Sequence, residues 1–389
     1  MGRTLSAFGL LSFTYFAAVG LFSPYAPLWF REMGLSTIAI GAIASLQSWT
    51  RVVAPYAWSW AGDHSGRRVE LIRLAALGAV LSALGLVGVQ GATAVAVVTA
   101  LLFIANSGVV PLYEAVLAQV LHTEQGMDTA RYGRVRVWGS VGFLVSVVGC
   151  GVLLQLLGIR AFPWVVAAVN ATLLAAARRL PATRAEARHT EPAPPVLQRL
   201  RRPEVAWFFA SVFFTVLAHT SQYAFFSLFL DSLGYGKAAV GVLWALGVVA
   251  EIAFFWLQGR WIGRLSPHRW LLVVAAVTAL RFAATAAGGW VPALLVLAQF
   301  THALTFAAHH AICVAMISRH FPDRLRGRGQ ALYTTLGYGL PGVLGGVGGG
   351  WLIERGGFAA LFLTASLSGL LALGCAWRAQ QAAAADPPV

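Results

Sequence analysis

Apolar runs of about 20 residues or more recur along the whole chain, and no other feature narrows its fold as much. They fall at roughly 6–30, 38–61, 70–89, 92–120, 134–157, 161–178, 205–230, 238–258, 270–288, 291–318, 329–353 and 357–377. A spanning β-strand needs only about 9–11 residues, so runs of this length read as about twelve transmembrane helices in an all-α membrane protein. Composition points the same way. Of 389 residues, 58% are apolar and 11% charged, against about 25% charged in a soluble domain. That leaves too little polar surface to keep the chain in water, so lipid must be part of its solvent. The first run is too long for a cleaved signal peptide and is kept as a span.

The net charge is +14, which by itself would suit a nucleic-acid partner. The arginines are distributed otherwise. They cluster in alternate inter-helix loops: Arg67/Arg68/Arg73, Arg131/Arg134/Arg136, Arg178 to Arg202, Arg260/Arg264/Arg269 and Arg319 to Arg328. The loops between hold only Arg31, Arg160, Lys237 and Arg355. Such a bias orients a multi-pass protein in the cytoplasmic (inner) cell membrane with both termini in the cytoplasm, and an even number of spans allows it. The basic excess is topological, and no nucleic-acid partner is expected. Cys150, Cys313 and Cys375 lie in apolar runs without metal-ligand spacing, so neither a metal nor another cofactor is expected.

Only one long polar segment interrupts the pattern, from Arg178 to Glu204, with Pro181, Pro192, Pro194 and Pro195 amid mixed charge. It reads as a linker. The expected organisation is an N-terminal six-helix bundle (1–178), a cytoplasmic linker (179–204), a C-terminal six-helix bundle (205–378) and a cytoplasmic tail (379–389). The loop after the second run, Ser59-Trp-Ala-Gly-Asp-His-Ser-Gly-Arg-Arg68, has a weak echo in the second half at Gly259-Arg-Trp-Ile-Gly-Arg-Leu-Ser-Pro-His-Arg269. Duplicated halves leave such a trace.

That loop resembles the Gly-x-x-x-Asp-Arg-x-Gly-Arg-Arg pattern of the major facilitator superfamily. Asp63, Gly66, Arg67 and Arg68 match, Ser59 and His64 depart from it, and the second copy lacks the acid. The resemblance implies two pseudo-symmetric six-helix bundles working by alternating access. Asp63, Gly66, Arg67 and Arg68 would then act as a conformational loop whose charged turn pairs with helix ends in one state and releases them in the other.

A charged side chain at mid-bilayer costs about 2.5–3.5 kcal/mol on insertion scales, so each such residue needs a reason. The short set is Arg51, Glu114, Arg134, Arg136, His219, Glu251, Arg281, His302, His309 and His310. Pro111-Leu-Tyr-Glu-Ala-Val-Leu-Ala-Gln-Val120 followed by Tyr132-Gly-Arg-Val-Arg-Val-Trp-Gly-Ser-Val-Gly-Phe143 is similar to the 3-phenylpropionate permease group and, more distantly, to the lactose–proton symporters. By that resemblance Glu114 and Arg136 contact substrate. Glu251, Arg281 and His302 match the acid, arginine and histidine around the symporters' proton site. Where those symporters carry a proton-bearing carboxylate three residues after the histidine, this chain has Thr305. Another group must titrate: Glu251 first, a histidine second. Helical spacing puts His302, Thr305 and His309 on one face, whereas His219 and His310 read as hydrogen-bonded core histidines.

Arg51 either binds an anionic substrate or neutralises Glu114. Tyr15, Gln47, Gln222 and Trp244 are further candidates for contact with a ring and its substituents. No nucleotide or hydrolase motif is present, so an enzyme is not expected and ion gradients are left as the energy source. The expected function is secondary active transport: proton-coupled symport of a small organic solute such as an aromatic acid, by a functional monomer whose partners are solute, protons and the bilayer. A sugar or nucleoside symporter and a drug or metabolite efflux antiporter are the alternatives.

Overall fold

A computed structural model describes residues 3–123, 126–181, 197–322 and 325–385. Most of the segment read as a linker, 182–196, lies outside them, as do the last four residues. Among the described residues, ten helical segments are long and apolar enough to cross a membrane. The last, Gly327–Ala385, is two helices joined at Gly357, whose φ of 72° breaks the helical path. A further 29-residue helix, Thr37–Ser65, falls outside the apolar set. Gln47, Arg51, Asp63 and three tryptophans dilute its hydropathy, and it is this helix that carries a cation into the bundle.

Twelve helices result: α1 (Arg3–Glu32), α2 (Thr37–Ser65), α3 (Arg68–Gly88), α4 (Ala92–Val120), α5 (Thr129–Leu157), α6 (Phe162–Arg178), α7 (Pro203–Ser232), α8 (Lys237–Leu257), α9 (Pro267–Ala287), α10 (Pro292–His320), α11 (326–356) and α12 (358–385). A two-residue antiparallel pair, His122–Thr123 with Gly126–Met127, lies in the α4–α5 loop. Large apolar side chains on the outside, among them Leu156, Trp164, Trp256 and Trp290, suit a lipid rather than an aqueous surround.

The chain divides into two compact units, Met1–Thr190 with Leu230–Val242, and Glu191–Phe229 with Leu243–Val389. In the first, Phe8, Leu11, Ile72, Leu112 and Leu173 form a core shared by α1, α3, α4 and α6. In the second, Phe208, Val212, Ile312, Met316 and Phe321 do the same for α7 and α10. Lipid offers no hydrophobic drive between helices, so small residues that let backbones approach must hold them together. Gly142 of α5 meets the Phe13 carbonyl of α1 so closely that a Cβ would overlap it. The hydroxyl of Ser146, one turn on, donates to Ala17 O at 2.7 Å. The corresponding crossing in the second unit is α11 on α7, where a Cβ on Gly345 would come within 2.7 Å of Thr220 Cβ. Likewise α3 packs on α6, and α9 on α12, where Ser366 donates to Ala279 O at 2.8 Å. The two units therefore repeat one packing plan with a six-helix offset.

Among the candidate spans α7 is the most enclosed, with 78% of its apolar window buried against 33–50% for the others. Polar side chains on it are consequently committed to internal partners.

Candidate functional site

In the first unit α1, α2, α4 and α6 surround a cavity of ≈ 80 Å³, lined by Tyr15, Phe22, Gln47, Arg51, Asn106 and Asn170 among others. Among the described residues Arg51 is exposed and makes no hydrogen bond or ion pair, with Glu114 or with another group. Glu114 on α4 instead faces Arg136 on α5, with Oε1 3.8 Å from Nε and both side chains part-exposed. That separation is an ion pair without a direct hydrogen bond, and the Tyr132 side chain is hydrogen-bonded to both groups. The Arg136 guanidinium also lies 4.4 Å from the Phe16 ring centroid, a cation–π contact that orients it.

The loop motif is folded on itself. Gly66 ends α2 in the left-handed region (φ 65°) and its N–H closes on Gly62 O, the cap that a glycine supplies without steric cost. Arg68 then turns back to Asp63 at 2.7 Å, while Arg67 pairs with Glu70 at 3.2 Å. In the second unit the echo of this loop lacks the acid, but Glu204 at the start of α7 comes within 3.1 Å of His268 and 3.6 Å of His320.

Arg281 of α9 is the organising group of the second unit. It is 1% exposed, and a buried cation depends on acceptors close by; both terminal nitrogens find them, whereas Nε is buried without a partner. Its Nη1 donates to His302 Nδ1 and Thr305 Oγ1, each at 2.8 Å, and lies 3.2 Å from His219 Nε2. Its Nη2 donates to Gln222 Oε1 at 3.1 Å, and Gln222 passes a hydrogen bond to Gln299 at 2.8 Å. These bonds fix the proton positions. A guanidinium only donates, so His302 Nδ1 accepts, its proton sits on Nε2, and Nε2 meets Glu251 Oε1 at 2.7 Å. His219 is the other tautomer: its Nδ1 donates to Thr215 O at 2.7 Å, leaving Nε2 to accept from the Thr305 hydroxyl at 3.1 Å. Gly247 lets α8 approach the His302 ring, which a Cβ there would meet at 3.3 Å.

Glu251, Arg281 and His302 are thus gathered in one cluster, and so is Thr305, which accepts from the arginine. His309 is not. The backbone over Ala303–Ala308 is π-helical, and i→i+5 winding carries the next turn off the face that α-helical spacing would give it. His309 lies instead against Cys313 Sγ at 3.4 Å. Gln222 and Trp244 are buried, with their polar groups engaged on Arg281 and Gln299 and on Ser227, respectively. Tyr15 and Gln47 line the first unit's cavity. Three residues of these sites are not among the candidates taken from the sequence, Asn106, Asn170 and Gln299, visible there only as amides within apolar runs; His219 is the buried, hydrogen-bonded histidine expected of it.

The chain matches the MFS_1 like family over residues 5–364. It is 31% identical over 381 residues to a maltose permease of Geobacillus stearothermophilus, covering 93% of this chain and 91% of that one. It is 28% identical over 331 residues to a probable 3-phenylpropionic acid transporter of Escherichia coli (strain K12), covering 84% and 85%. In fold it is similar to the crystal structure of the nucleoside transporter NupG in its D323A mutant form, with a TM-score of 0.82 at 17% identity over 96% of this chain and 99% of that one. A bacterial homologue of the lysosomal transporter Spinster, in its inward-facing and unoccupied form, gives a TM-score of 0.65 at 15% identity, covering 98% and 95%. With its family match, its twelve helices and its paired bundles, the chain belongs to the MFS_1 like family and is a multi-pass membrane transporter of the major facilitator type, not an enzyme.

Proposed function

We propose that the chain is a proton-coupled symporter that takes up a small organic solute, with Glu251, His302 and Arg281 as its coupling group and Glu114, Arg136 and Arg51 as solute contacts. The observation that carries this reading is the buried carboxylate–imidazole–guanidinium chain. His302 Nδ1 accepts from Arg281, so a proton added at that nitrogen removes the arginine's acceptor and puts two cations in contact. Proton occupancy and the Arg281 contacts are then linked, and linkage of that kind is what coupling requires. Thr305 holds the arginine without a titratable group, which leaves the proton to Glu251 or to an imidazole of the cluster, His302 before His219. Arginine distribution supports placement in the cytoplasmic membrane with both termini inside and 179–204 as a cytoplasmic linker.

Two solute classes suit the first unit. Arg51 and Arg136 offer two cations to the carboxylate of an aromatic acid, and one relative bears such a name. Glu114 already accepts from the Tyr132 hydroxyl, and its remaining lone pairs suit the hydroxyl groups of a sugar or nucleoside.

The test is uptake by proteoliposomes of labelled 3-phenylpropionate, maltose and uridine under an imposed inward proton gradient. One of them should accumulate above its equilibrium level and lose that excess when a protonophore is added. Accumulation indifferent to the protonophore would remove the coupling, and proton-driven expulsion would establish antiport in its place.

A further inference from the structure

Glu204, His268 and His320 converge at the arginine-rich end of the second unit, each from a different helix. Glu204 lies in the first turn of α7, His268 in the first turn of α9, and His320 is the last residue of α10. Glu204 Oε1 is 3.1 Å from His268 Nε2 and 3.6 Å from His320 Nε2. Neither approach is aligned as a hydrogen bond, so all three atoms are buried without a hydrogen-bond partner. The two histidines are 7% and 8% exposed. Phe321 and Phe208, whose ring centroid lies 6.1 Å from that of His320, close the apolar side. The Glu204 side chain keeps 20% of its surface open, which gives a proton its way in.

The first unit closes its own turn with Arg68 on Asp63, and an arginine stays charged throughout. Imidazoles do that work here, and histidine is the side chain that ordinarily changes charge between about pH 5 and 8. The surrounding charges are unequal. Arg319 of α10 acts on both imidazoles, Arg202 just before α7 acts on His320, and the two imidazoles act on each other; Glu204 is the acid set against them. From α12 this core receives Ala376, which carries no charge. With both imidazoles uncharged the cluster already holds two cations and one anion. Each proton taken up adds to the positive excess, and Glu204 can neutralise one imidazolium at most. A second charged ring at so little exposure has no counter-ion.

We infer that Glu204, His268 and His320 form an acid-released joint, which holds the ends of α7, α9 and α10 together while its imidazoles are uncharged and lets them part when both are charged. It gives the carrier a second response to protons, apart from Glu251 and His302. By arginine distribution the joint faces the cytoplasm, so the acid it answers is that of the cell interior. It depends neither on the solute nor on proton coupling, and its test in detergent stands apart from theirs.

Thermal unfolding of the purified full-length protein is compared at about pH 7.5 and about pH 5.5, on either side of the ordinary histidine range. Release on protonation means that stability is complete above the unfolded histidine value of about 6.5 and falls below it. The parent's Tm should therefore drop in acid. Buried histidines able to contribute are His219, His268, His302, His309 and His320. His268→Gln combined with His320→Gln keeps polar side chains that cannot titrate, and should cut the drop by roughly two fifths, each single substitution by about half as much. Glu204→Gln deletes the counter-ion and should enlarge the drop instead. Cys313, buried in the same core, reports the opening. A dipyridyl disulfide, read at the Cys313 peptide by mass spectrometry, should modify it at least about threefold faster at the lower pH in the parent but not in the double variant. The joint is overturned if the drop is the same in the parent and the histidine variants, if Glu204→Gln shrinks it, or if Cys313 labelling follows pH alike in parent and variants.

Discussion

Glu251 and Arg281 share no ion pair among the described residues and are bridged by His302. The histidine donates to the carboxylate at 2.7 Å with one nitrogen and accepts from the guanidinium at 2.8 Å with the other. Neither charge can change without a response from the ring between them.

Glu251→Gln keeps an oxygen to accept from His302 Nε2 but cannot ionise. Solute binding and exchange across the membrane should persist, whereas uphill uptake under a proton gradient should fall by at least about tenfold, the equivalent of one 1.4 kcal/mol step. Counterflow and gradient-driven accumulation, measured on the same proteoliposomes, separate the two. Unchanged uphill uptake would reject the assignment.

Arg281→Met removes the shared donor of His302, Thr305 and Gln222 at a site 1% exposed. Breaking a buried charged network by deleting one partner costs about 3–5 kcal/mol, and thermal unfolding in detergent should register it. Arg281→Lys should recover little, since a point charge cannot reproduce the planar fork that reaches both the His302–Thr305 side and Gln222. Pairing Arg281→Met with Glu251→Gln should recover part of the lost stability by removing the carboxylate left behind. A double variant no more stable than Arg281→Met alone would show that the acid and base are not energetically linked.

How much of this was legible in the chain depends on the kind of residue. Arg281, Glu251 and His302 stand out because charge in an apolar run is expensive, and the expectation that they meet holds. Asn170 and Asn106 carry no net charge, so the same reasoning passes over them, and only coordinates show that their oxygens are unpartnered. Helices were readable from run length, α2 among them as the run 38–61, although Gln47, Arg51 and three tryptophans weaken its apolar signal. For His309 the periodicity rule assumes α winding, and the π segment before it leaves no mark in residue type.

Asp63→Asn should slow transport while leaving solute affinity unchanged, because the Asp63–Arg68 contact of 2.7 Å lies in the α2–α3 turn rather than on the cavity wall. Initial counterflow rate and equilibrium binding are the two readouts. Equal loss of both would argue against a conformational loop.

Gly142→Ala and Gly149→Ala, two turns apart on α5, should act in opposite directions. At Gly142 the new methyl meets the Phe13 carbonyl, and overpacking of that kind typically costs about 1–3 kcal/mol. At Gly149 nothing lies within 4 Å, so the methyl should be neutral or stabilise by up to about 1 kcal/mol through helix propensity. Tm of the two purified variants gives the comparison, and equal shifts would mean that the α1–α5 crossing is looser than its backbone spacing implies.

Between Ala303 and Ala308 the backbone closes each ring with one more residue than an α-helix uses. Excising a single residue there would rewind α10 and swing all that follows, Cys313 and Met316 included, by about 100° around its axis. What points at Phe208 and its neighbours would then point elsewhere, though every side chain kept its chemistry. In this helix the residue count is a determinant of facing direction in its own right.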